Sequence, residues 1–432
     1  MLTGAFRLID TDAVREHSAK HRPWRKVRPI AVRAGSDPEA AWRAVKLLRH
    51  HQFRALPLTR SEGGTFGFCE HSSLNEWLHG IDLEVGGGGP GTFDHGRGVL
   101  GDPAFRAKFA IRSLMQEAIE SSRLEGAVTT RVEATELLRS RRAPQTTHER
   151  MVVNNYAAMR QVKEMLDREL SVEMLCEIQR TVTEGTLEHE DQSGRFRRAD
   201  EDVRVIDERT NETVFVPPPA EGIEKRVRAI CSFANNTHTG RDFIHPIVKA
   251  CILHFMIGYE HPFADGNGRT ARAVFYWYAL RAGYQVFEYL VISELLREAY
   301  EQYTRAYLDS ELDDGDMTYF IRFKLRIIVR AIEKLGEYLT EEEEKIQRAI
   351  RMASLDPSLN LRQRLLLGHA LRHPRTVYTV KSHAESNRIT QVTARSDLDR
   401  LSQRGLLTTY QTGRQVNYVA EPGLEKRLGL DG

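Results

Sequence analysis

A long apolar segment that ends at a proline and a glycine-rich loop constrains the fold of this chain more than any other feature. Ile247 to Glu260 is almost continuously apolar, which is too long for an ordinary strand and normal for a buried helix. Pro262 then interrupts the segment, because proline cannot continue a helix interior. After the glycines, apolar residues recur at helical spacing from Arg269 to Tyr284, and Gly283 is a typical stop signal. The sequence therefore predicts a loop between two helices.

The loop itself, which reads HPFADGNGRTAR, concentrates residues suited to binding phosphate. The backbone N–H groups of Gly266, Asn267 and Gly268 fall at the predicted N-terminus of the second helix, where unpaired donors and the helix dipole favour an anion. Arg269 and Arg272 are three residues apart, so both guanidinium groups can reach successive phosphates from one helical face. We therefore predict that this loop binds the phosphates of a nucleotide.

Two further side chains of the loop carry chemistry. Asp265 supplies a hard oxygen ligand suited to Mg²⁺. His261, at the end of the first helix, is the group that can take a proton at neutral pH. The loop thus combines an anion site, a metal ligand and a base.

Other glycine-rich motifs account for the loop less well. Gly266, Gly268 and Ala271 also satisfy the dinucleotide pattern G-x-G-x-x-A, and Glu288 lies at about the distance of a ribose-binding acid. That fingerprint requires a preceding strand, whereas the segment before this loop is predicted to be helical. No Walker motif G-x-x-x-x-G-K-[ST] occurs in the chain. A plain helix–loop–helix turn would explain the glycines and Pro262, but not the whole set of residues.

The run from His261 to Arg272 resembles the signature H-P-F-x-[DE]-G-N-G-R-x-x-R of Fic-domain proteins, with every specified position present. The resemblance extends from about Phe105 to Leu339 and includes GRFR at 194–197, FVPPP at 215–219 and HP at 245–246. It implies a mainly α fold, with an all-α core and a β-hairpin flap. It also implies a nucleotidyltransferase that moves AMP from Mg-ATP to a side-chain hydroxyl of a target protein, or of itself.

The resemblance assigns a role to each residue of the loop. It implies that His261 deprotonates the Ser, Thr or Tyr hydroxyl for in-line attack on the α-phosphate, and that Asp265 holds the Mg²⁺ cofactor. Arg272 would hold the γ-phosphate. The ATP- and phosphate-binding set is Gly266, Asn267, Gly268, Arg269 and Arg272.

The alternation of residues 202–216 predicts a β-hairpin. Valines alternate on both arms, and 207–212 supply the turn. The hairpin resembles the Fic flap, which aligns the backbone of the target beside the site as an added strand. An ordinary surface hairpin is the alternative. The flap residues implied by the resemblance are Val203, Arg204, Val205, Ile206 and Asp207.

A second short pattern modifies the expected activity. Ser121 to Gly126 fits [ST]-x-x-x-E-[GN], which resembles the inhibitory helix that some Fic proteins carry ahead of the core. On that resemblance Glu125 binds Arg272 in the γ-phosphate position, so that ATP binds only unproductively, and Ser121 steadies the end of the helix. In some relatives the same glutamate serves the removal of AMP, so a reverse activity is a second option. Alternatively, Gly126 merely caps a helix and Glu125 is solvated.

Composition bounds the class of protein. A chain of 432 residues with 28% charged residues suits two or three domains, and a net charge of +2 argues neither for nor against nucleic acid. The four cysteines are widely separated and form no C-x-x-C, which argues against a zinc site or a disulfide framework. No apolar run approaches the roughly 18 residues of a membrane span, and no signal-peptide core is present. We therefore expect a cytoplasmic enzyme without a membrane partner.

Three regions are expected along the chain. Residues 1–100 form an N-terminal accessory region of unknown role, and 101–350 form the Fic domain with its inhibitory helix and a long C-terminal helix. Residues 356–425 show the order helix–strand–helix–helix–hairpin. This order resembles the small α+β winged helix-turn-helix domains often appended to Fic cores.

The winged helix raises an alternative function. Its predicted recognition helix and wing present polar and basic residues that suit DNA contact, although Asp397 and Asp399 dilute the positive charge. A DNA-binding regulator whose Fic core senses nucleotide or docks a partner is therefore the second hypothesis, and partner docking or a homodimer is the rival use of the domain. The residues proposed to contact DNA are Gln391, Thr393, Arg395 and Arg414.

Overall fold

The computed structural model describes Leu8 and residues 11–86, 98–101, 103–207, 212–355, 358–412 and 415–428. Two predicted features fall outside these ranges. They are the middle of the predicted hairpin turn, at 208–211, and Arg414 on the predicted wing.

The prediction of a mainly α-helical fold is confirmed. Helices account for most of the described residues, and the strands described form one three-stranded and two two-stranded sheets. The chain divides into two compact units, Met1–Gly89 with Arg112–Ile332 and Pro90–Ile111 with Glu333–Gly432. The domain boundaries expected from the sequence stay predictions. Within the described part of the chain, no helix has the length and apolar character needed to cross a membrane.

The chain up to residue 355 forms helices and two β-hairpins. The helices are α1 (Asp12–Ala19), α2 (Trp24–Arg33), α3 (Pro38–His50), α4 (Ser72–Gly86), α5 (Pro103–Leu124), α6 (Arg131–Ser140), α7 (Thr147–Glu164), α8 (Val172–Thr183), α9 (Ile223–Asn235), α10 (Pro246–Glu260), α11 (Asn267–Arg281), α12 (Ile292–Glu298), α13 (Tyr300–Leu312) and α14 (Thr318–Leu355). The antiparallel hairpins are β1 (Phe53–Thr59) with β2 (Thr65–Cys69), and β3 (Val205–Asp207) with β4 (Glu212–Phe215).

Helices α10 and α11 form the buried centre of the first unit, and they are the two helices predicted on either side of the glycine loop. The side chain of His245 caps α10 by accepting from the N–H of Ile247. Every residue of α10 from Ile247 to Ile257 is buried, so the helix is covered on all faces. In α11 the fully buried Trp277 donates its indole N–H to the carbonyl oxygen of Met165 at 3.0 Å. Burial of this pair of helices fixes the loop between them.

Two left-handed residues set the bounds of that loop. His261, with φ 45° and ψ 54°, ends α10, and Gly266, with φ 82°, is the N-cap of α11. Because glycine enters the left-handed region without a steric cost, α11 begins directly afterwards at Asn267. Gly266, Asn267 and Gly268 therefore lie at the N-terminus of α11, as predicted.

The N-terminal residues pack into the same compact unit as this helical centre. His21 hydrogen-bonds through Nε2 to the carboxylate of Asp316 at 2.9 Å, and Arg25 forms an ion pair with Asp309 at 2.8 Å. Gly67 in β2 forms a parallel bridge with Asp316. The segment that the sequence left without a role thus supports the chain that follows α13.

The last described helices and strands fold in the order that the sequence predicts. They are α15 (Leu361–Arg372), β5 (Tyr378–Thr379), α16 (Val380–Asn387), α17 (Gln391–Gln403), β6 (Leu407–Thr412), β7 (Gln415–Ala420) and α18 (Leu424–Arg427). The sheet order is β5-β7-β6, with antiparallel pairing. A cluster of buried leucines that includes Leu367, Leu398 and Leu401 forms the core under this sheet.

The two acidic residues of α17, which were expected to dilute its positive charge, both have hydrogen-bond partners within this unit. Asp397 is 4% exposed and accepts from Arg362 at 2.8 Å, and Asp399 accepts from the hydroxyl of Tyr418 at 2.5 Å. Gln391 and Arg395 are exposed and Thr393 is half-buried. Contact of these three residues with DNA stays a prediction.

Candidate active site

A cleft of about 600 Å³ lies in the first unit, between the glycine loop, α13 and the β3–β4 hairpin. The predicted site residues that line it are His261, Asp265, Gly268, Glu125, Arg204 and Val205. Arg269 and Arg272 are almost fully buried instead, at 1% and 2% exposure. His261, Asp265 and Gly268 of the loop therefore line the cleft, whereas both arginines are buried beneath it.

His261 is held at the end of α10 in a form that can accept a proton. Its Nδ1 lies 3.2 Å from the carbonyl oxygen of Gly258. Because a carbonyl only accepts, Nδ1 carries the proton in this bond and Nε2 keeps its lone pair. Burial lowers the pKa of His261 below its ordinary value of 6.5, so the imidazole is neutral near pH 7. The residue can thus act as a general base towards a group in the cleft.

Asp265 and Arg269 form an ion pair at the turn of the loop. One carboxylate oxygen of Asp265 accepts from the N–H of Gly266 at 2.6 Å, and the other accepts from Arg269 at 3.0 Å. Arg269 also donates to the carbonyl oxygen of Val182 at 2.7 Å, which ties the loop to the end of α8. The guanidinium group lies behind the loop, while the Asp265 side chain stays 52% exposed.

The side chain of Asn267 closes the loop on itself. Its amide accepts from the N–H of Phe263 at 2.9 Å and donates to the carbonyl oxygen of the same residue at 2.8 Å. Both residues are buried, so neither backbone group has water as an alternative partner. Only the backbone of Asn267 is left for an anion.

We expect Asn267→Ala to lower the free energy of unfolding by about 2–4 kcal/mol, because it leaves two buried backbone groups of Phe263 unpaired. Chemical denaturation measures this loss. Asn235 offers a matched control, since it makes the same two bonds with the backbone of Leu170, at 2.9 and 2.8 Å, away from the cleft. Asn235→Ala should also lose stability but keep its affinity for nucleotide, whereas Asn267→Ala should lose both. Equal nucleotide affinity in the two variants would contradict the role given to the loop.

Arg272 donates to residues at and just after the C-terminal end of α5. Its Nε donates to Oγ of Ser121 at 2.7 Å, and a second nitrogen donates to the carbonyl oxygen of the same residue at 2.9 Å. The remaining nitrogen donates to the carboxylate of Glu125 at 3.0 Å. Burial alone would lower the pKa of Arg272, but the Glu125 carboxylate, together with Tyr303 and Glu117, reverses that effect and raises the pKa. The residues that the family resemblance pairs are therefore in direct contact.

The Glu125 carboxylate rests on the glycine loop. A Cβ atom at position 268 would lie 2.3 Å from the nearer carboxylate oxygen, so the contact depends on Gly268. Gly126, with φ 84°, turns the chain after α5, and the N–H of Ala127 donates back to the carbonyl oxygen of Ser122. This turn places the carboxylate over the first turn of α11, where the helix end favours an anion.

The predicted β-hairpin is present beside the cleft. Strands β3 and β4 pair with an irregularity between Val205 and Ile206, and Val203 and Arg204 precede the first strand. Arg204 and Val205 line the cleft. The hairpin thus lies where an added strand would run past His261.

Two residues that position the loop were not found from the sequence. Arg197 donates its N–H to the carbonyl oxygen of Pro262 and its guanidinium to those of His261 and Pro218. Gln179 donates to the carbonyl oxygen of Asp265 and accepts from the N–H of Gly194. Arg197 belongs to the GRFR segment that carried part of the resemblance, and Gln179 of α8 contacts Gly194 of that segment, but nothing in the sequence spacing indicates these partners.

Helix α13 supplies a whole wall of the cleft that the sequence analysis also missed. The side chains on this wall are Tyr300, Tyr303, Thr304, Tyr307, Leu308 and Glu311. Their spacing of three and four residues is typical of one helical face. That periodicity was available in the sequence, but the tyrosines and the glutamate alone do not indicate which face meets a ligand.

Part of the chain that includes the glycine loop resembles known proteins. Residues 169–279 match the model of the Fic/DOC family. A protein adenylyltransferase Fic from Nematostella vectensis is 36% identical over 120 residues, which are 27% of this chain and 25% of that protein. One from Drosophila melanogaster is 28% identical over 108 residues, which are 25% of this chain and 20% of that protein. The chain thus spans a quarter or less of the length of these curated relatives.

A solved structure shares the fold over most of the chain. The crystal structure of a Fic family protein from Desulfovibrio desulfuricans aligns with a TM-score of 0.53 and 17% identity, and covers 82% of this chain and 98% of that one. At this identity the likeness concerns the fold alone. With the complete loop motif between α10 and α11, these matches establish that the chain contains a Fic domain.

Proposed function

We propose that this protein is an autoinhibited adenylyltransferase, which transfers AMP from Mg-ATP to a Ser, Thr or Tyr hydroxyl of a target protein. The observation that carries the proposal is the neutral imidazole of His261, which shares one cleft with the glycine loop at the N-terminus of α11. The matched relatives named protein adenylyltransferase support the reaction type.

The residues of the chain divide the work of the transfer. Nε2 of His261 takes the proton of the target hydroxyl, whose oxygen forms a bond to the α-phosphorus. The bond from the α-phosphorus to the bridging oxygen breaks, and pyrophosphate leaves with its electron pair. The first-turn N–H groups of α11, near Gly268, bind the phosphate oxygens. Positioning and charge stabilisation then supply most of the rate enhancement.

Asp265 fits the magnesium ion that such a reaction uses. Its carboxylate offers hard oxygen atoms, stays half exposed in the cleft, and is oriented by Gly266 and Arg269. Mg²⁺ is commonly bound through one or two carboxylates together with substrate phosphates. Bound there, the ion would neutralise charge on the phosphate chain.

Glu125 accounts for the inhibited state in this proposal. The ion pair with Arg272 engages the guanidinium that would otherwise bind the terminal phosphate. Activation therefore requires the carboxylate to leave Arg272. The β3–β4 hairpin would meanwhile align the target backbone as an added strand. The DNA-binding regulator considered from the sequence has no comparable observation in its favour.

The position of a labelled phosphate in ATP tests which part of the nucleotide is transferred. We expect the full-length Glu125→Gly variant, incubated with Mg²⁺ and a protein mixture, to incorporate label from ATP labelled at the α-phosphate and none from ATP labelled at the γ-phosphate. Incorporation of the γ label would indicate a kinase reaction instead. No incorporation of either label by this variant would contradict the proposal.

A further inference from the structure

Three buried side chains with metal-binding atoms meet in the first unit, and none of them lines the cleft. They are His21, just after α1, Cys69, the last residue of β2, and Asp316, between α13 and α14. A ligand atom of each lies within 4.8 Å of those of the other two, and each residue is at most 5% exposed. Because the three come from distant segments of the chain, no spacing of cysteines in the sequence indicates this cluster.

The distances within the cluster are close to those of a tetrahedral metal site. Oδ2 of Asp316 lies 2.9 Å from Nε2 of His21 and 3.9 Å from Sγ of Cys69. Zinc binds nitrogen and oxygen at about 2.0–2.1 Å and sulfur at about 2.3 Å. A tetrahedron with these bond lengths places the oxygen about 3.3 Å from the nitrogen and about 3.5 Å from the sulfur. Both observed distances lie within about 0.5 Å of these values.

Neighbouring groups hold two of the ligands in position. Gly67 of β2 forms its parallel bridge with Asp316, which keeps the two segments side by side. The hydroxyl of Thr318 donates to Oδ1 of Asp316 and accepts from the N–H of Cys69. The N–H of Thr318 donates to the same Oδ1 at 3.0 Å. Oδ1 is therefore engaged, and Oδ2 is directed to His21 and Cys69. Contacts of this kind orient the ligands of protein metal sites.

A fourth ligand position is within reach of solvent. Cys69 and Asp316 line a cavity of about 490 Å³ beside α3 and the β1–β2 hairpin. A water molecule in this cavity would complete four-coordination. Three protein ligands and one water form the open type of zinc site.

The charges of the cluster balance those of a divalent cation. A thiolate at Cys69 and a carboxylate at Asp316 together cancel the charge of the metal, so no net charge is buried. Burial raises the pKa of the Cys69 thiol to about 12, so the thiol releases its proton to water when the metal binds. The buried cation Arg49 is engaged elsewhere, since its guanidinium donates to Tyr319 at 2.9 Å and lies 3.7 Å from Asp313.

We propose that His21, Cys69 and Asp316 bind a Zn²⁺ ion, which fastens the N-terminal segment and the β1–β2 hairpin to the chain that follows α13. The mixed set of nitrogen, sulfur and oxygen ligands favours zinc, whereas Mg²⁺ and Ca²⁺ take oxygen ligands. The site is separate from the magnesium position proposed at Asp265. The alternative is a metal-free hydrogen bond between His21 and Asp316 beside an unreactive thiol.

Cobalt substitution in the full-length protein tests the proposal, because Co²⁺ occupies zinc sites and gives a near-ultraviolet charge-transfer band when a thiolate binds it. After treatment with a chelator, we expect one equivalent of Co²⁺ to produce this band and Zn²⁺ to abolish it. Cys69→Ala should remove the band. His21→Ala should weaken Co²⁺ binding by about tenfold or more, since even outer contacts of metal ligands contribute about that much. Cys231→Ala, which removes another buried cysteine, should leave the band unchanged.

Two further measurements separate this site from the cleft and from damage to the fold. Asp265→Ala should keep the band, because no cysteine is among the described residues that line the cleft. Zn²⁺ should raise the melting temperature of the wild type but not that of Cys69→Ala, because a ligand stabilises only the protein that binds it. Absence of the thiolate band in the wild type would overturn the proposal whether or not the variants fold. A band that survives Cys69→Ala, or that disappears in Cys231→Ala, would overturn it as well.

Discussion

Replacing Glu125 with glycine should raise the rate of AMP transfer by about ten- to hundredfold. The carboxylate lies 3.0 Å from Arg272 and rests on Gly268, so ATP must displace it before the terminal phosphate can be bound. A hydrogen bond to a charged group contributes about 1.5–3 kcal/mol, and each 1.4 kcal/mol corresponds to a factor of ten. The initial rate of incorporation of α-labelled AMP, compared between wild type and variant, measures the effect.

Two further measurements separate release of inhibition from a general loosening of the fold. Glu125→Gln keeps the size and one hydrogen bond but removes the charge, so its rate should fall between those of wild type and Glu125→Gly. Thermal denaturation provides the second measurement. The glycine variant leaves buried Arg272 without its carboxylate and should melt earlier without ligand, and Mg-ATP should stabilise it more than it stabilises wild type. A rate unchanged by Glu125→Gly would sink the autoinhibitory role.

Loss of the base should have an effect of comparable size in the opposite direction. In the Glu125→Gly background, His261→Ala should lower the transfer rate by about 10²- to 10⁴-fold, the contribution expected of a general base. Affinity for ATP should stay near that of the parent, because the imidazole acts on the target hydroxyl and not on the phosphates. Single-turnover transfer and equilibrium nucleotide binding together test both statements.

His189 is a suitable control for this substitution, since it is an exposed histidine outside the cleft. His189→Ala should keep the parent rate. The pH profile adds a signature that structural damage would not imitate. Burial lowers the pKa of His261 below 6.5, so the rate should hold as the pH falls to about 6.5 and decline only below that value, as the base becomes protonated. A decline that begins above pH 7 would contradict the neutral, buried base.

The sequence was most informative where local physical rules decide the structure. Apolar continuity and Pro262 predict the end of α10, and valine alternation predicts the β3–β4 hairpin. The same rules place Gly266, Asn267 and Gly268 at the N-terminus of α11, but they do not predict the left-handed conformation of Gly266, which depends on how the whole loop is packed. Such a conformation is permitted by glycine but not dictated by it.

Side-chain directions within the motif could not be obtained from spacing. Arg269 and Arg272 are three residues apart, which suggested one shared face towards the phosphates. In the structure Arg269 turns to Val182 at the end of α8, while Arg272 turns to Ser121 in α5. The two arginines contact different helices, and which helices these are is determined by the tertiary fold and not by local sequence.

Two of the hydrogen bonds of the Arg197 guanidinium bear on any attempt to redirect this protein to a new target. One guanidinium holds the carbonyl oxygen that follows the hairpin, at Pro218, and also the carbonyl oxygen of His261. The element that would select a target and the residue that would activate its hydroxyl are therefore mechanically joined. The strand residues of the hairpin can be redesigned as long as the Pro218 backbone stays in place. A shift of that backbone would also move His261, the proposed general base.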